Sequence, residues 1–94
     1  MINKKSQYPV NKKLLQSVSK AIFENRSKLS MTQEEIANLA NTSWRYFQKI
    51  ESSRNSKTAD QIQNISLSVF VDIANAINIS PGKLLDEAIK NANN

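Results

Sequence analysis

Apolar residues recur at spacings of three and four residues through most of the chain. One such stripe, from Leu14 to Ile22, predicts an amphipathic helix over about residues 12–27. Two further stripes predict helices that begin after Ser66 and after Ser80. No segment alternates between apolar and polar residues as a half-buried strand would. The pattern therefore predicts an all-α fold.

Capping residues divide the middle of the chain into two shorter helices. Thr32 can accept a hydrogen bond at a helix start, and Glu35 can return one, as in a capping box. Asn41 tolerates the left-handed conformation that often ends a helix. Ser43 can cap a next helix that runs to about Ser52. Two short helices joined by a tight turn form a helix-turn-helix pattern, in which the second helix exposes cationic and hydrogen-bonding groups.

The segment from Met31 to Glu51, MTQEEIANLANTSWRYFQKIE, closely resembles the Cro/lambda-repressor-type (XRE) helix-turn-helix family. The family pattern runs roughly T-Q-E-E-L-A, a small turn, and S-x-x-x-[I/F]-x-x-[I/L]-E. The segments that start at Ile65 and Ser80 resemble the fourth and fifth helices of the family, so the likeness covers about residues 14–89. It implies a five-helix lambda-repressor-like DNA-binding domain.

Two features depart from the family pattern. Asn41 stands where the family usually has Gly, and Ser52-Ser53 stands where it often has Asn-Gly. The connection to the fourth helix, residues 53–65, is longer than usual, and only a weak signal for a helical turn lies near Thr58.

The resemblance implies that the second helix of the motif lies in the major groove, where each base pair shows a distinct pattern of donors and acceptors. Arg45 can donate two hydrogen bonds to guanine, Gln48 can pair with adenine, and Lys49 can reach guanine or phosphate. The alternative is that these three are ordinary solvated helix residues. Trp44 can pack on a thymine methyl or a sugar, or be partly buried against the first helix. The implied base-reading residues are Ser43, Trp44, Arg45, Gln48 and Lys49.

Other residues are implied to hold the DNA backbone or the fold. Gln33 corresponds to a family residue that contacts a phosphate and braces the start of the second helix of the motif. A basic loop follows that helix and can bind phosphates or remain solvated. Arg26 and Glu51 correspond to a partly buried structural ion pair. The implied phosphate-binding residues are Gln33, Arg54, Asn55, Ser56 and Lys57.

The fifth helix is the predicted dimer interface. Proteins of this kind usually dimerise so that two helices meet successive major grooves, about 34 Å apart. Leu85, Ala88 and Ile89 can extend past what one core needs, although they can also close the core of the monomer.

Charge supports this interpretation. Residues 1–57 hold eleven basic and four acidic side chains, a net +7, whereas residues 58–94 have a net −2. Such a balance favours an anionic partner, here double-stranded DNA. The absence of His and Cys removes the usual general base and metal ligands, so we expect no enzyme, cofactor or metal site.

The predicted organisation is a flexible basic arm over residues 1–11, a helix-turn-helix domain over 12–90 and a frayed tail over 91–94. Without an apolar secretory core or membrane span, we expect a cytoplasmic protein. The favoured function is a sequence-specific transcriptional regulator, a prokaryotic, phage or plasmid repressor or controller that binds a palindromic operator as a homodimer. The alternative is an antitoxin-type module that neutralises a partner protein while it regulates its own operon.

Overall fold

The computed structural model describes the backbone of residues 4–93 and the side chains of residues 12–93. It confirms the predicted five-helix, all-α fold, and the described backbone contains no strand. Two 3-10 turns, over Ser53–Asn55 and Ala59–Gln61, lie within the predicted polar connection. The helices are α1 (Lys4–Lys28), α2 (Gln33–Leu39), α3 (Trp44–Ser52), α4 (Leu67–Ala76) and α5 (Pro81–Ala92).

Side-chain caps fix where the later helices begin. At α2 the predicted capping box is present, because Thr32 Oγ1 accepts from the Glu35 backbone N–H at 3.1 Å and Glu35 Oε1 accepts from the Thr32 N–H at 2.8 Å. Such caps typically contribute about 1 kcal/mol each. The hydroxyls of Ser43, Ser66 and Ser80 each accept a hydrogen bond from the backbone N–H three residues later, and so cap α3, α4 and α5.

The first helix begins at Lys4, eight residues before the predicted start. The prediction of a flexible arm over residues 1–11 is therefore wrong for residues 4–11, and residues 1–3 lie outside the described part of the chain. No apolar stripe predicts a helix over these residues, but the absence of a stripe does not prevent one. Lysine and glutamine have good helix propensity, which favours the extension of the helix through this segment.

The core forms where all five helices meet. Each helix supplies at least one fully buried apolar side chain, and small alanines at Ala37 and Ala74 allow α2 and α4 to pack closely. Burial of one such large apolar side chain stabilises the fold by roughly 1.5–3 kcal/mol. The largest fully buried apolar residues are Ile22, Ile36, Phe47, Ile50, Ile73 and Leu84.

Helix α5 packs along α1, and this packing corrects two predictions. Ala88 is 0% exposed, and its carbonyl oxygen accepts a hydrogen bond from Ser17 Oγ at 2.7 Å. Its predicted place in a dimer interface is therefore wrong, because a partner cannot reach its side chain. The tail predicted to fray from residue 91 is helical through Ala92, which is half-buried. Leu85 is half-buried and Ile89 is 40% exposed, so these two remain available to a partner.

Candidate nucleic-acid interface

A left-handed turn sets the position of α3 relative to α2. Asn41 has φ of +54°, which confirms that asparagine takes the place of the glycine usual at this turn. The Thr42 backbone N–H donates to the Ala37 carbonyl oxygen at 2.9 Å, so the end of α2 is satisfied within the turn. Ser43 then caps α3 through the Tyr46 N–H at 3.0 Å. The helix-turn-helix pattern predicted from the sequence is thus present as local geometry.

Helix α3 has a buried inner face and an exposed outer face. Phe47, Ile50 and Glu51 are each 0% exposed. Trp44, by contrast, is 48% exposed, so its side chain is partly buried while the rest of its surface stays accessible. Five residues of α3 are exposed, of which Ser52 lies at its end; the other four, Trp44, Arg45, Gln48 and Lys49, are called the outer face of α3.

A buried carboxylate locks the end of α3 to the two helices before it. The Arg26 guanidinium binds Glu51 through two hydrogen bonds, Nε to Oε2 at 2.7 Å and Nη2 to Oε1 at 2.9 Å. Its Nη1 donates to the Met31 carbonyl oxygen at 2.7 Å. The expected ion pair is therefore present, with Glu51 fully buried and the Arg26 side chain 14% exposed. A bidentate pair of this kind fixes orientation as well as supplying energy.

Gln33 completes this cluster at a place that the sequence did not predict. Its Nε2 donates to Glu51 Oε1 at 2.9 Å. The expected contact with the start of α3 is therefore wrong: Gln33 braces the end of that helix. The physical reason is that the Glu51 carboxylate, buried beside the start of α2, needs more donors than Arg26 alone supplies.

The basic loop after α3 is held by residues that the sequence analysis missed. Gln16 of α1 donates its side-chain amide to the carbonyl oxygens of Ser53 at 3.1 Å and Ser56 at 2.8 Å. Ser53 is fully buried, donates to the Lys49 carbonyl oxygen at 2.9 Å and accepts from the Gln63 N–H at 2.8 Å. A glutamine in a helix and a serine in a loop carry no local signal for such contacts.

Arg54 is held against α1 beside the outer face of α3. Its guanidinium carbon lies 3.7 Å from the centroid of the Phe23 ring, and its Nη1 donates to the Glu51 carbonyl oxygen at 2.7 Å. Stacking of this kind stabilises a cation in a defined orientation. Asn55 and Lys57 are exposed, whereas Ser56 donates its hydroxyl to the Gln61 carbonyl oxygen at 3.3 Å.

These residues surround an open, positively charged depression of about 410 Å³. It brings together predicted base-reading residues and two of the predicted phosphate-binding residues, and it contains three cations and no carboxylate among its lining side chains. Asn55, Ser56 and Lys57 do not line it. We call it the α3 depression; it is lined by Gln33, Arg45, Gln48, Lys49, Ser52 and Arg54.

The side chains around the α3 depression are suited to recognising a partner by hydrogen bonds. Arginine, glutamine and lysine side chains offer donors on the exposed surface of α3 and beside it. Among the side chains of residues 12–93, no group of three His, Cys, Asp or Glu is placed to hold a metal ion. No helix in the described part of the chain is long and apolar enough to cross a membrane.

No protein-family model and no curated protein matches the chain. The fold is similar to the crystal structure of the clp gene regulator ClgR from C. glutamicum, with 20% sequence identity and a TM-score of 0.68. The match covers 83% of this chain and 91% of that chain. At this identity the similarity shows a shared all-helical fold and nothing finer.

Proposed function

We propose that the chain is a sequence-specific DNA-binding transcriptional regulator of the Cro/lambda-repressor type (XRE). The observation that carries this proposal is the outer face of α3, where Arg45, Gln48 and Lys49 are exposed on a helix whose other side is locked into the core. An α-helix fits the major groove, and these side chains have the donors and acceptors that distinguish base pairs there. The similarity of the fold to ClgR, a gene regulator by its printed name, supports the same conclusion.

In this proposal the α3 depression and the residues around it face DNA, and these residues divide by role. Ser43, Trp44, Arg45, Gln48 and Lys49 face base edges, while Gln33 and the loop residues Arg54 to Lys57 contact phosphates. The Arg26–Glu51 pair acts indirectly, because it fixes the angle at which α3 leaves the core. The protein acts in the cytoplasm on DNA and performs no catalysis.

We further propose that the regulator binds a palindromic operator as a homodimer and acts there as a repressor or controller. A single α3 covers only a few base pairs, so two copies are needed to meet successive major grooves about 34 Å apart. Leu85 and Ile89 of α5 retain exposed apolar surface that suits such an interface. Leu85 also lines an apolar groove with Leu67, which is 77% exposed.

The alternative function, an antitoxin-type module that neutralises a partner protein, uses the same apolar groove between α1, α4 and α5. The groove has a volume of about 190 Å³. A partner protein there would leave α3 free to bind DNA. Size measurements of the purified chain distinguish these two occupants of the groove. A stable dimer supports a second copy of the chain there, whereas a monomer that binds DNA supports a partner protein there.

The decisive experiment selects binding sites from random duplex DNA and measures affinity for the selected site across a salt series. We expect a palindromic site and an affinity that falls steeply with salt. Arg45→Ala should lose discrimination at one base pair in each half-site, by roughly 1–3 kcal/mol. Lys57→Ala should weaken binding to all sequences alike and reduce the salt slope by about 1. Weak, sequence-indifferent binding, or none at low salt, would contradict the proposal.

A further inference from the structure

The α3 depression continues into a second cationic depression on the side of α1. Arg54 lines both. The second has a volume of about 230 Å³, and its cations are Lys13, Lys20 and Arg54. We propose that this α1 depression is a second phosphate-binding surface, which grips the DNA backbone beyond the base pairs that α3 reads. This inference rests on the proposed DNA-binding function and extends it to a helix that the sequence analysis did not connect with DNA.

Charge along α1 supports this role. The chain has no acidic residue before Glu24, so Lys13 and Lys20 stand in a segment of one sign. Both lysines are exposed, and no carboxylate is among the side chains that line the α1 depression. They are seven residues apart on one helix face, a rise of about 10.5 Å.

The surface between the two depressions is built in advance of binding. Arg54 is stacked on Phe23 and bound to the Glu51 carbonyl oxygen, as described above. A guanidinium has five N–H donors, so others remain for a phosphate. The adjoining loop is tied to α1 by Gln16, which lies in the wall of the α1 depression between Lys13 and Lys20. A cation in a fixed orientation loses less entropy on binding than a free side chain.

A competing role for the two lysines is structural. The α1 depression is also lined by Asn91 and Ala92, from the last turn of α5. Free carbonyl groups at a helix C-terminus attract cations. In that case the lysines stabilise α5 and have no direct effect on DNA. The two roles differ in what they predict for stability and for the salt dependence of DNA binding.

The test is a double variant, Lys13→Ala with Lys20→Ala, measured against a control, Lys83→Ala with Lys90→Ala. Both remove two positive charges, but Lys83 and Lys90 line neither depression. Affinity is measured on the selected site and on a scrambled duplex of equal length, from 50 to 200 mM salt, together with thermal unfolding. We expect the test variant to reduce the salt slope by about 2 on both duplexes while base preferences stay unchanged. The control should reduce the slope by less than 1.

Two results overturn the inference while the proposed function survives. One is a normal salt slope with a lowered melting temperature, which assigns the lysines to α5. The other is an equal loss in test and control variants, which reduces the effect to net charge. If the wild-type chain binds no DNA at low salt, the proposed function fails and the inference fails with it.

Discussion

The turn between α2 and α3 has the same backbone geometry as the turn between α4 and α5. Asn41 and Asn78 are left-handed, with φ of +54° and +59°. In both turns the residue after the asparagine donates its N–H to an alanine carbonyl oxygen five positions back, at 2.9 Å and 3.0 Å. A serine hydroxyl then caps the next helix. The chain therefore uses one local device twice.

The inner faces of α3 and α5 also correspond. A shift of 37 residues pairs Phe47 with Leu84 and Glu51 with Ala88, and all four are 0% exposed. The difference lies in what the last buried position contains. At Ala88 a methyl group fills a gap against α1, whereas at Glu51 a carboxylate needs Arg26 to be satisfied. Helix α5 is thus held by packing and by hydrogen bonds such as that from Ser17 to the Ala88 carbonyl oxygen, whereas α3 is held by packing and a buried ion pair.

The outer faces differ most. The same shift places Gly82 where α3 has Arg45, and Asp86 where α3 has Lys49. A turn of this geometry therefore does not identify a DNA-binding helix. In the proposed function the composition of the outer face makes that distinction, because only α3 has the cationic and amide side chains that base reading needs.

The largest expected effect concerns the buried ion pair that holds α3. Glu51→Ala leaves the Arg26 guanidinium largely buried without its carboxylate, which should cost about 3–5 kcal/mol of unfolding free energy. Chemical denaturation measures this loss, and Glu34→Ala, at an exposed carboxylate of α2, serves as control with an expected change within about 0.5 kcal/mol. DNA binding should weaken mainly because the variant unfolds. A variant that folds normally yet fails to bind would refute a structural role for Glu51.

The second effect tests the outer faces. Lys49→Ala should weaken binding to the selected DNA site by about tenfold, or about 1.4 kcal/mol. Asp86→Ala, the corresponding change on α5, should leave affinity unchanged or slightly raise it, since it removes a negative charge. Titrations at one fixed salt concentration compare the two. Equal losses of affinity in the two variants would show that α3 and α5 contribute alike to DNA binding.

The third effect tests the shared turn. Asn41→Ala and Asn78→Ala should each cost about 1 kcal/mol, because alanine tolerates the left-handed conformation poorly. Glycine at either position should cost much less, and so serves as control. Thermal unfolding should show similar losses at both sites. Only the change at Asn41 should alter DNA affinity in the folded protein. A similar loss of affinity from Asn78→Ala would show that both turns affect DNA binding alike.

The smallest effect concerns Gly82. A Cβ built there lies 3.8 Å from Ser80 Oγ, an ordinary contact. Gly82→Ala should therefore raise the unfolding free energy by about 0.5 kcal/mol, since alanine has lower entropy in the unfolded chain. DNA binding should not change. A decrease in stability would show that the first turn of α5 is more tightly packed than the structure indicates.

Much of the fold was predictable because its signals are local. Capping by Thr32, Ser43, Ser66 and Ser80 depends on side chains within three residues of the N–H groups that they satisfy. The left-handed turn at Asn41 depends on one residue type. Phe47 and Ile50 are three positions apart, a spacing that places both on one face of a helix, and both are buried. The exposure of Arg45, Gln48 and Lys49 followed from the same spacing.

The candidate site was only partly predictable. The Arg26–Glu51 pair came from resemblance to a family, since nothing in the local sequence joins residues 25 positions apart. Gln16 was missed for the same reason, because its partners lie 37 to 40 positions away. The role of Gln33 was placed at the wrong end of α3. In each case the partner is brought close by helix packing.

By itself, the sequence determined where the helices begin after α1, which faces of α2 to α5 are apolar, and where the positive charge lies. These properties depend on hydrogen bonds and side-chain spacing within one or two helical turns. Only the tertiary structure decided that Ala88 closes the monomer core, that Gln33 and Arg26 share the Glu51 carboxylate, and that the α3 and α1 depressions meet at Arg54. Those outcomes depend on how helices cross one another, and crossing is set by complementary packing between surfaces that are distant in sequence.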